Sequence, residues 1–135
     1  MIFCPTYFSD GRLKLCLPLP SRACSPNARR GESKGAAIRK SRIIKQHREM
    51  AYVTAQSALV MSWAATTYAG YSLAFYFRTA AFRDDDNADA SIKAYRDGIA
   101  NALGMNDRDL RKCQLSTYQK DAECPRVEIT LYPKA

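Results

Sequence analysis

The chain has few of the residues from which most catalytic and metal sites are built. Its 135 residues include one histidine, His47, and five cysteines with no C-x-x-C pair among them. One histidine cannot build a zinc site with cysteines at these spacings, and a nucleophilic Cys or Ser would have this one imidazole as its base. None of the six glycines forms a phosphate-binding loop. We therefore expect a protein that is not an enzyme and binds neither a cofactor nor a metal.

The acidic cluster between positions 84 and 89 is the natural candidate for a cation site. Aligned to a calcium-binding loop, Asp85, Asn87 and Asp89 take the first three ligand positions. Two cationic side chains, Lys93 and Arg96, then fall at the ninth and twelfth positions, where the ion needs oxygen ligands. The cluster is better interpreted as a helix cap, because negative charge is favourable at a helix N-terminus.

Acidic residues are scarce in the first 50 positions, which hold three of them against 11 Lys and Arg. Residues 51–135 hold ten of each sign, so the formal net charge of +8 belongs to the first part of the chain. Attraction to anionic lipid headgroups needs only such charge. Specific nucleic-acid binding is not expected, because Phe3, Tyr7 and Phe8 lie far along the chain from the Arg and Lys cluster.

Charged residues are absent from the whole stretch between Ala51 and Phe77, which is 27 residues long. As a helix it would measure roughly 40 Å, against about 30 Å for the hydrocarbon core of a bilayer. The stretch therefore predicts a single span of the lipid bilayer. Eight Lys and Arg between Arg29 and Arg48 place the N-terminus in the cytoplasm and the C-terminal part outside the inner (plasma) membrane. A buried helix in a soluble bundle is the alternative.

Small and polar residues recur every four positions along this stretch. On a helix they would form one narrow ridge, made of Ala58, Ser62, Thr66, Gly70 and Ala74. A ridge of small residues lets a second helix approach closely, which is how helices associate inside a bilayer. The pattern predicts other membrane helices as partners.

Two elements are predicted beyond the charge-free stretch. Apolar residues at spacings of three and four predict an amphipathic helix over residues 88–103, closed by Gly104. Alternation over residues 127–132 predicts a strand, which would form a hairpin with the weaker stretch 110–118. A Cys113–Cys124 disulfide would close a loop of about 12 residues and stabilise this hairpin by roughly 2–3 kcal/mol.

These elements predict an α+β protein with one long N-terminal helix and a small domain after it. Residues 1–46 would be a basic, mostly disordered N-terminal arm, because prolines and glycines interrupt it throughout. Residues 47–83 would be the apolar helix, and residues 84–135 a small α+β extracytoplasmic domain with a helix and a C-terminal β-hairpin. The arm is also rich in Ser and Arg and poor in acids, which fits a cleaved transit peptide or a start codon placed too far upstream.

Two short motifs accompany this organisation. The segment Ala55-Gln56-Ser57-Ala58-Leu59-Val60-Met61 opens the apolar stretch after basic residues, and Arg126–Pro133 follows a pair of cysteines near the end. In this the chain resembles the TadE/TadG-like minor pseudopilins of tight-adherence (Tad) pili over residues 45–135. Members of that family open their helix with a V-E-F-A-L-V-type segment. Here Gln56 stands where the glutamate belongs, and Ala58, Leu59 and Val60 match the A-L-V that follows.

The resemblance implies a structural or assembly component of a pilus or secretion apparatus. Its partners would be pilin-like subunits and a prepilin peptidase, and Gln56, Ala58, Leu59 and Val60 would form the prepilin-like segment. Two alternatives stay open. One is a small organellar membrane-complex subunit with a cleaved transit peptide, and the other is a soluble binding protein with a basic tail.

Overall fold

The charge-free stretch divides into the end of a helix and a strand. The computed structural model describes residues 4–25, 33–62, 67–80 and 85–134. In it, helix α1 (Lys34–Met61) ends well before strand β3 (Tyr68–Phe77) begins. Within these ranges no helix combines the length and the apolar character that a membrane crossing requires. The predicted membrane span, and with it the inner-membrane location, is therefore wrong.

The elements alternate along the chain between strands and helices. In order they are β1 (Thr6–Tyr7), β2 (Leu13–Leu17), α1, β3, α2 (Asp85–Ser91), α3 (Lys93–Ala102), β4 (Arg111–Lys112), β5 (Thr117–Lys120) and β6 (Arg126–Pro133). Short 3₁₀ turns lie at Arg22–Cys24 and Asp107–Asp109. Two strands and the first half of α1 thus lie in the region that the sequence predicted to be mostly disordered.

The sheet has its last strand in the middle. Its order is β1-β2-β6-β3, with β4 and β5 both on the far side of β3. Strand β6 is antiparallel to β2 and β3, while β4 and β5 are parallel to β3. The predicted fold is wrong in this respect, because β5 and β6 lie on opposite sides of β3 and form no hairpin.

The core lies between the sheet and the helices. Strand β2 alternates buried and half-buried side chains, as a strand covered on one face should. The fully buried side chains from the three central strands include Leu13, Leu15, Leu17, Phe75, Val127, Ile129 and Leu131. They pack against α1 and α3 through Ala51, Ala55, Ala58, Ile92, Tyr95 and Ile99. One face of the sheet is therefore covered by the helical layer.

Helices α1 and α3 approach each other closely through small residues. A Cβ atom added to Gly98 would lie 2.2 Å from the Arg48 carbonyl oxygen and 3.1 Å from the Ala51 Cβ. Ala51 and Ala55 are fully buried on the facing helix. Small residues thus do serve helix packing, but between α1 and α3 rather than along the predicted ridge.

The predicted helix over residues 88–103 is confirmed, with a break at Ile92 that separates α2 from α3. Its end is fixed by Gly104, whose φ of 69° is favourable for glycine. The Met105 N–H donates to the Ala100 carbonyl oxygen, and the Gly104 N–H donates to that of Asn101. This pair of bonds is the Schellman arrangement, which satisfies carbonyl groups at the helix end.

Candidate functional site

The face of the sheet turned away from the helices is polar. In the described part of the chain, both long helices pack on the other face. The register pairs Cys16 and Ala74 with Glu128, and Tyr76 with Arg126. We call this surface the open face, and its side chains are Lys14, Cys16, Ser72, Ala74, Tyr76, Arg126, Glu128, Thr130 and Tyr132.

Glu128 lies at the centre of the open face, with 9% of its surface exposed. Its Oε2 atom accepts a hydrogen bond from Arg126 Nε at 3.1 Å and lies 3.6 Å from the ammonium of Lys14. The Cys16 thiol lies 3.8 Å from the same oxygen. Two cations therefore compensate one nearly buried carboxylate, as a buried charge requires.

Arg126 is held in place through Nε, Nη1 and one flat face of its guanidinium group. Besides Glu128, it donates from Nη1 to Asp121 Oδ2 at 2.8 Å and to the Cys124 carbonyl oxygen at 2.9 Å. Its central carbon stands 3.8 Å from the centroid of the Tyr76 ring. Burial alone would lower the pKa of Arg126, but the hydrogen bonds to Asp121 and Glu128 outweigh it and raise that pKa. The guanidinium group is therefore fixed in position, permanently charged and stacked on an aromatic ring.

The open face is not arranged for nucleophilic chemistry. Burial, followed by the negative charge of Glu128, raises the pKa of the Cys16 thiol. A reactive cysteine needs the opposite shift, since the thiolate is the nucleophile. Burial and Glu128 also raise the pKa of Tyr76.

His47 has a structural role on the opposite side of the sheet. Its Nε2 atom accepts a hydrogen bond from the Ser21 N–H at 3.0 Å, so Nδ1 carries the proton and donates to the Ile43 carbonyl oxygen at 3.0 Å. The ring stacks on Tyr95, with 5.3 Å between centroids. Both nitrogens are engaged, and the imidazole and Cys16 lie on opposite sides of the sheet.

The first half of α1 forms the second notable surface. Between Lys34 and Arg48 it carries no acidic residue and six cations: Lys34, Arg39, Lys40, Arg42, Lys45 and Arg48. All except Lys40 are exposed. We call residues 34–48 the basic segment of α1.

The basic segment extends past the end of the sheet. Near the other end of α1, the Ala58 carbonyl oxygen accepts a hydrogen bond from Tyr7, beside the start of β2. His47 reaches Ser21, which lies just after the end of β2. The 13 residues before His47 therefore extend roughly 20 Å further at about 1.5 Å per residue. They extend beyond the sheet at the end where β6 begins with Arg126.

A groove of about 360 Å³ runs between the basic segment, the first 3₁₀ turn and α2–α3. Lys40, Arg48 and Lys93 line it, and Lys93 forms a 3.0 Å ion pair with Asp97. Burial raises the pKa of the Cys24 thiol in its wall, although the charge of Lys40 opposes this. The groove adds positive charge to the base of the basic segment.

The predicted ridge does not form one surface. Ala58 is buried in α1 and Ser62 caps the end of that helix. Gly70 and Ala74 belong to β3, and Thr66 lies outside the described residues. The prepilin-like segment lies on the last turns of α1, where Gln56 is exposed, Leu59 is half-buried and Val60 is 79% exposed.

The predicted Cys113–Cys124 disulfide does not form. The structure describes all five cysteines and joins no two of them. The Cys113 N–H donates to the Tyr71 carbonyl oxygen. The N–H of Asp121, three residues before Cys124, donates to the Phe77 carbonyl oxygen. Six residues of β3 separate these two acceptors, which is roughly 20 Å. A disulfide needs its Cα atoms within about 7 Å.

The open face was not predicted from the sequence, although the alternation of residues along its strands indicates it. Alternation over residues 127–132 places Glu128, Thr130 and Tyr132 on one side of the strand. The same period in Leu13–Leu17 exposes Lys14 and Cys16, but this segment had been assigned to the disordered arm. Among the described residues no group of three side chains could hold a metal ion.

Comparison with known proteins gives sparse results. No protein-family profile matches the chain. An uncharacterized protein of Xylella fastidiosa (strain Temecula1) is 40% identical over 99 residues, which cover 70% of this chain and 60% of that protein. The chain thus aligns with less than two thirds of this relative's length.

Two solved structures can be superimposed on this chain, both with low TM-scores. A thiamine-monophosphate kinase from Stenotrophomonas maltophilia has 12% identity and a TM-score of 0.36, with 94% of this chain and 32% of the kinase covered. The OmpA-like domain of FopA1 from Francisella tularensis has 11% identity and a TM-score of 0.38, with 99% and 84% covered. At these scores neither likeness carries an argument about function.

Proposed function

We propose that the protein is a non-enzymatic nucleic-acid-binding domain, in which the basic segment of α1 holds the phosphate backbone. The observation that carries the proposal is the charge of this segment, with six cations and no acid over 15 residues of one helix. Five of the six are exposed and therefore free to meet phosphates. Contacts of this kind supply most sequence-independent affinity for nucleic acids.

The distribution of apolar residues favours nucleic acid over a membrane surface. A helix that lies on a bilayer needs one continuous apolar face opposite its charges. At about 100° per residue, Ile38 and Ile43 lie roughly 140° apart, and Ile44 is a further 100° around the helix. Ile38 is 52% exposed and stands among the basic side chains. Ile43 and Ile44 are half-buried, so the exposed side of this helix is mainly the charged one, which suits a phosphate backbone that passes along it.

The surroundings of Cys16 and His47 fit the non-enzymatic part of the proposal. The raised pKa of Cys16 keeps its thiol protonated, and His47 uses both ring nitrogens in structural hydrogen bonds. Neither group is placed to activate the other.

The experiment compares two triple variants with equal loss of charge. Arg39→Gln, Arg42→Gln and Lys45→Gln remove three exposed cations from the basic segment and keep good helix formers in place. The affinity for a labelled single-stranded oligonucleotide should fall at least about tenfold at low salt. The slope of log K against log salt concentration should become shallower by about 2, since each phosphate contact contributes about 0.7.

The control removes three cations outside the basic segment, with Arg108→Gln, Arg111→Gln and Lys134→Gln. These residues are exposed, and Arg111 pairs with Gly70 near the start of β3. If both triple variants weaken oligonucleotide binding equally, the effect comes from net charge alone, which would contradict the proposal. Binding to phosphatidylserine vesicles without binding to oligonucleotides would overturn it in favour of a membrane surface.

The assembly role that the pseudopilin resemblance implies stays a prediction. The membrane span on which it relied is absent from the described residues. The sequence analysis expected no specific nucleic acid because aromatic residues lie far from the basic cluster in the chain. In the fold, the basic segment extends past the end of the sheet at which Arg126 begins β6, on the opposite face, and this shared end of the sheet supports the proposal.

A further inference from the structure

We propose that the open face of the sheet stacks unpaired bases, so that the ligand is a single strand whose phosphates reach the basic segment of α1. This inference rests on the proposed function and names its class of nucleic acid. It follows from the chemistry of Arg126, Tyr76 and Tyr132, which the basic segment does not include.

Arg126 and Tyr76 form a ready platform for a base. The edges of the guanidinium are used by Glu128, Asp121 and the Cys124 carbonyl group. One of its flat faces covers the Tyr76 ring at 3.8 Å. The Arg126 side chain keeps 18% of its surface exposed, and bases stack well on guanidinium planes and tyrosine rings. Because these bonds already fix the side chain, binding would not have to order it.

The charges of this platform compensate one another. Glu128 is paired with Lys14 and Arg126, and Asp121 is paired with Arg126. A neutral base can therefore approach without meeting an uncompensated carboxylate. The phosphates have their own partners on the basic segment, which extends beyond the sheet at the end where Arg126 lies.

Tyr132 provides a second aromatic ring on the same strand. It lies six residues after Arg126 on the same face of β6, which corresponds to roughly 20 Å. Its hydroxyl group and that of Ser72 are 3.0 Å apart, which fixes the tip of the side chain. Thr130 lies on the same face between Arg126 and Tyr132 and has a hydroxyl group that a base edge could meet. A nucleic-acid strand that lies along β6 would thus meet a stacking group at each end of β6.

Paired bases cannot use this surface. In a duplex each base is already stacked on its neighbours and offers only its edge. Both long helices, the elements that could best enter a groove, lie on the other face of the sheet. Single-stranded nucleic acid is therefore the occupant that the chemistry fits.

The decisive experiment separates bases from phosphates. Fluorescence anisotropy is measured with oligothymidine, with an abasic strand of the same length and with the corresponding duplex. The wild-type protein should bind oligothymidine at least about tenfold more tightly than the abasic strand, the effect of one or two stacked bases. Equal affinity for the two strands would overturn the inference and leave the proposed function standing. No binding to any of them would end both.

Variants locate the effect on the open face. Tyr76→Leu and Tyr132→Leu should abolish most of the preference for bases and leave binding of the abasic strand unchanged. Arg126→Lys keeps the charge but loses the planar group, and it should act in the same direction. Tyr132→Phe keeps the ring and should behave as wild type. Tyr7→Leu is the control, because Tyr7 is 45% exposed but lies on the helical side of the sheet.

A measurement on the unmodified protein covers the case in which a variant fails to fold. Photocrosslinking to a strand with 5-iodouracil should attach to Tyr76 or Tyr132. Crosslinks confined to other parts of the protein would contradict the inference. If the leucine variants keep the base preference but change the sedimentation of the protein, the open face pairs with a second copy instead, which would also overturn it.

Discussion

The two faces of the sheet are built from alternate residues of the same strands but serve different ends. On the covered face, Leu13, Leu15 and Leu17 are at most 1% exposed and pack under α1 and α3. On the open face, Lys14 and Cys16 meet the charge network of Glu128 and Arg126. The covered face thus provides the stability of the domain, whereas the open face arranges polar groups without contributing much to it.

The largest expected effect comes from the covered face. Leu15→Ala removes a fully buried side chain from β2 and leaves a cavity under the helices. We expect a loss of about 2–5 kcal/mol in the free energy of unfolding, measured by urea denaturation. A loss below about 1 kcal/mol would mean that the helical layer does not rest on this face.

The next effect comes from the contact inside the helical layer. In Gly98→Ala the new methyl group would lie 2.2 Å from the Arg48 carbonyl oxygen, and this backbone can give way only if α1 and α3 separate. We expect a loss of about 3 kcal/mol. Gly35→Ala is the matched control, since its Cβ meets only the flexible end of Arg39 at 3.7 Å. That change should stabilise by no more than about 0.5 kcal/mol, and a large loss would contradict the view that the basic segment is exposed.

A smaller effect is expected one residue along from Leu15, on the open face. Cys16→Ala removes a half-buried thiol whose weak contact with Glu128 is 3.8 Å long. We expect less than about 1 kcal/mol of destabilisation, because little apolar surface returns to water. Equal losses for Leu15→Ala and Cys16→Ala would remove the distinction between the faces.

The smallest effect concerns pH. The hydrogen bond from Arg126 is the main reason that the pKa of Asp121 is lowered. A lowered pKa in the folded state means that the carboxylate stabilises the fold at neutral pH, and this contribution is lost as the pH falls through the lowered value. Wild type should therefore exceed Asp121→Asn in stability at pH 7 and lose that advantage in acid. A difference that is constant from pH 7 to strong acid would exclude the ion pair as its cause.

Elements with a clear period could be predicted from the sequence. The spacing of Ile92, Tyr95 and Ile99 correctly indicated a helix with its apolar side buried, and Gly104 marked its end. The alternation in residues 127–132 correctly indicated β6. In each case one face is buried and the other is not, so the sequence carries the pattern directly.

Composition alone could not show that the charge-free stretch contains the end of a helix and a strand. The end of α1 packs against α3, and β3 lies between β6 and the short strands β4 and β5. Strand β3 avoids charge because it is largely buried, whereas the end of α1 buries only Ala51, Ala55 and Ala58 and leaves Val60 and Met61 exposed. Placed next to each other, the two elements give the same composition as a membrane helix. In β3 the buried positions Tyr71, Leu73 and Phe75 alternate with less buried ones, which is a strand period.

The open face depends on the register in which β6 pairs with β2 and β3, and this register cannot be read from the sequence. Arg126 and Tyr76 are 50 residues apart in the chain and become direct neighbours when β6 pairs with β3. Cys16 and Glu128 are separated by 112 residues and become partners in the same way. No local pattern reports such pairs, and the aromatic residues therefore seemed remote from the cations.

The central position of β6 determines when the sheet can assemble. Strands β2 and β3 both pair with β6 along most of their length and do not pair with each other. A nascent chain that has not yet reached residues 126–133 therefore has two apolar strands without their common partner. Folding of this domain must wait until the last strand is synthesised, and until then Leu13–Leu17 and Tyr68–Phe77 are segments that a chaperone would recognise.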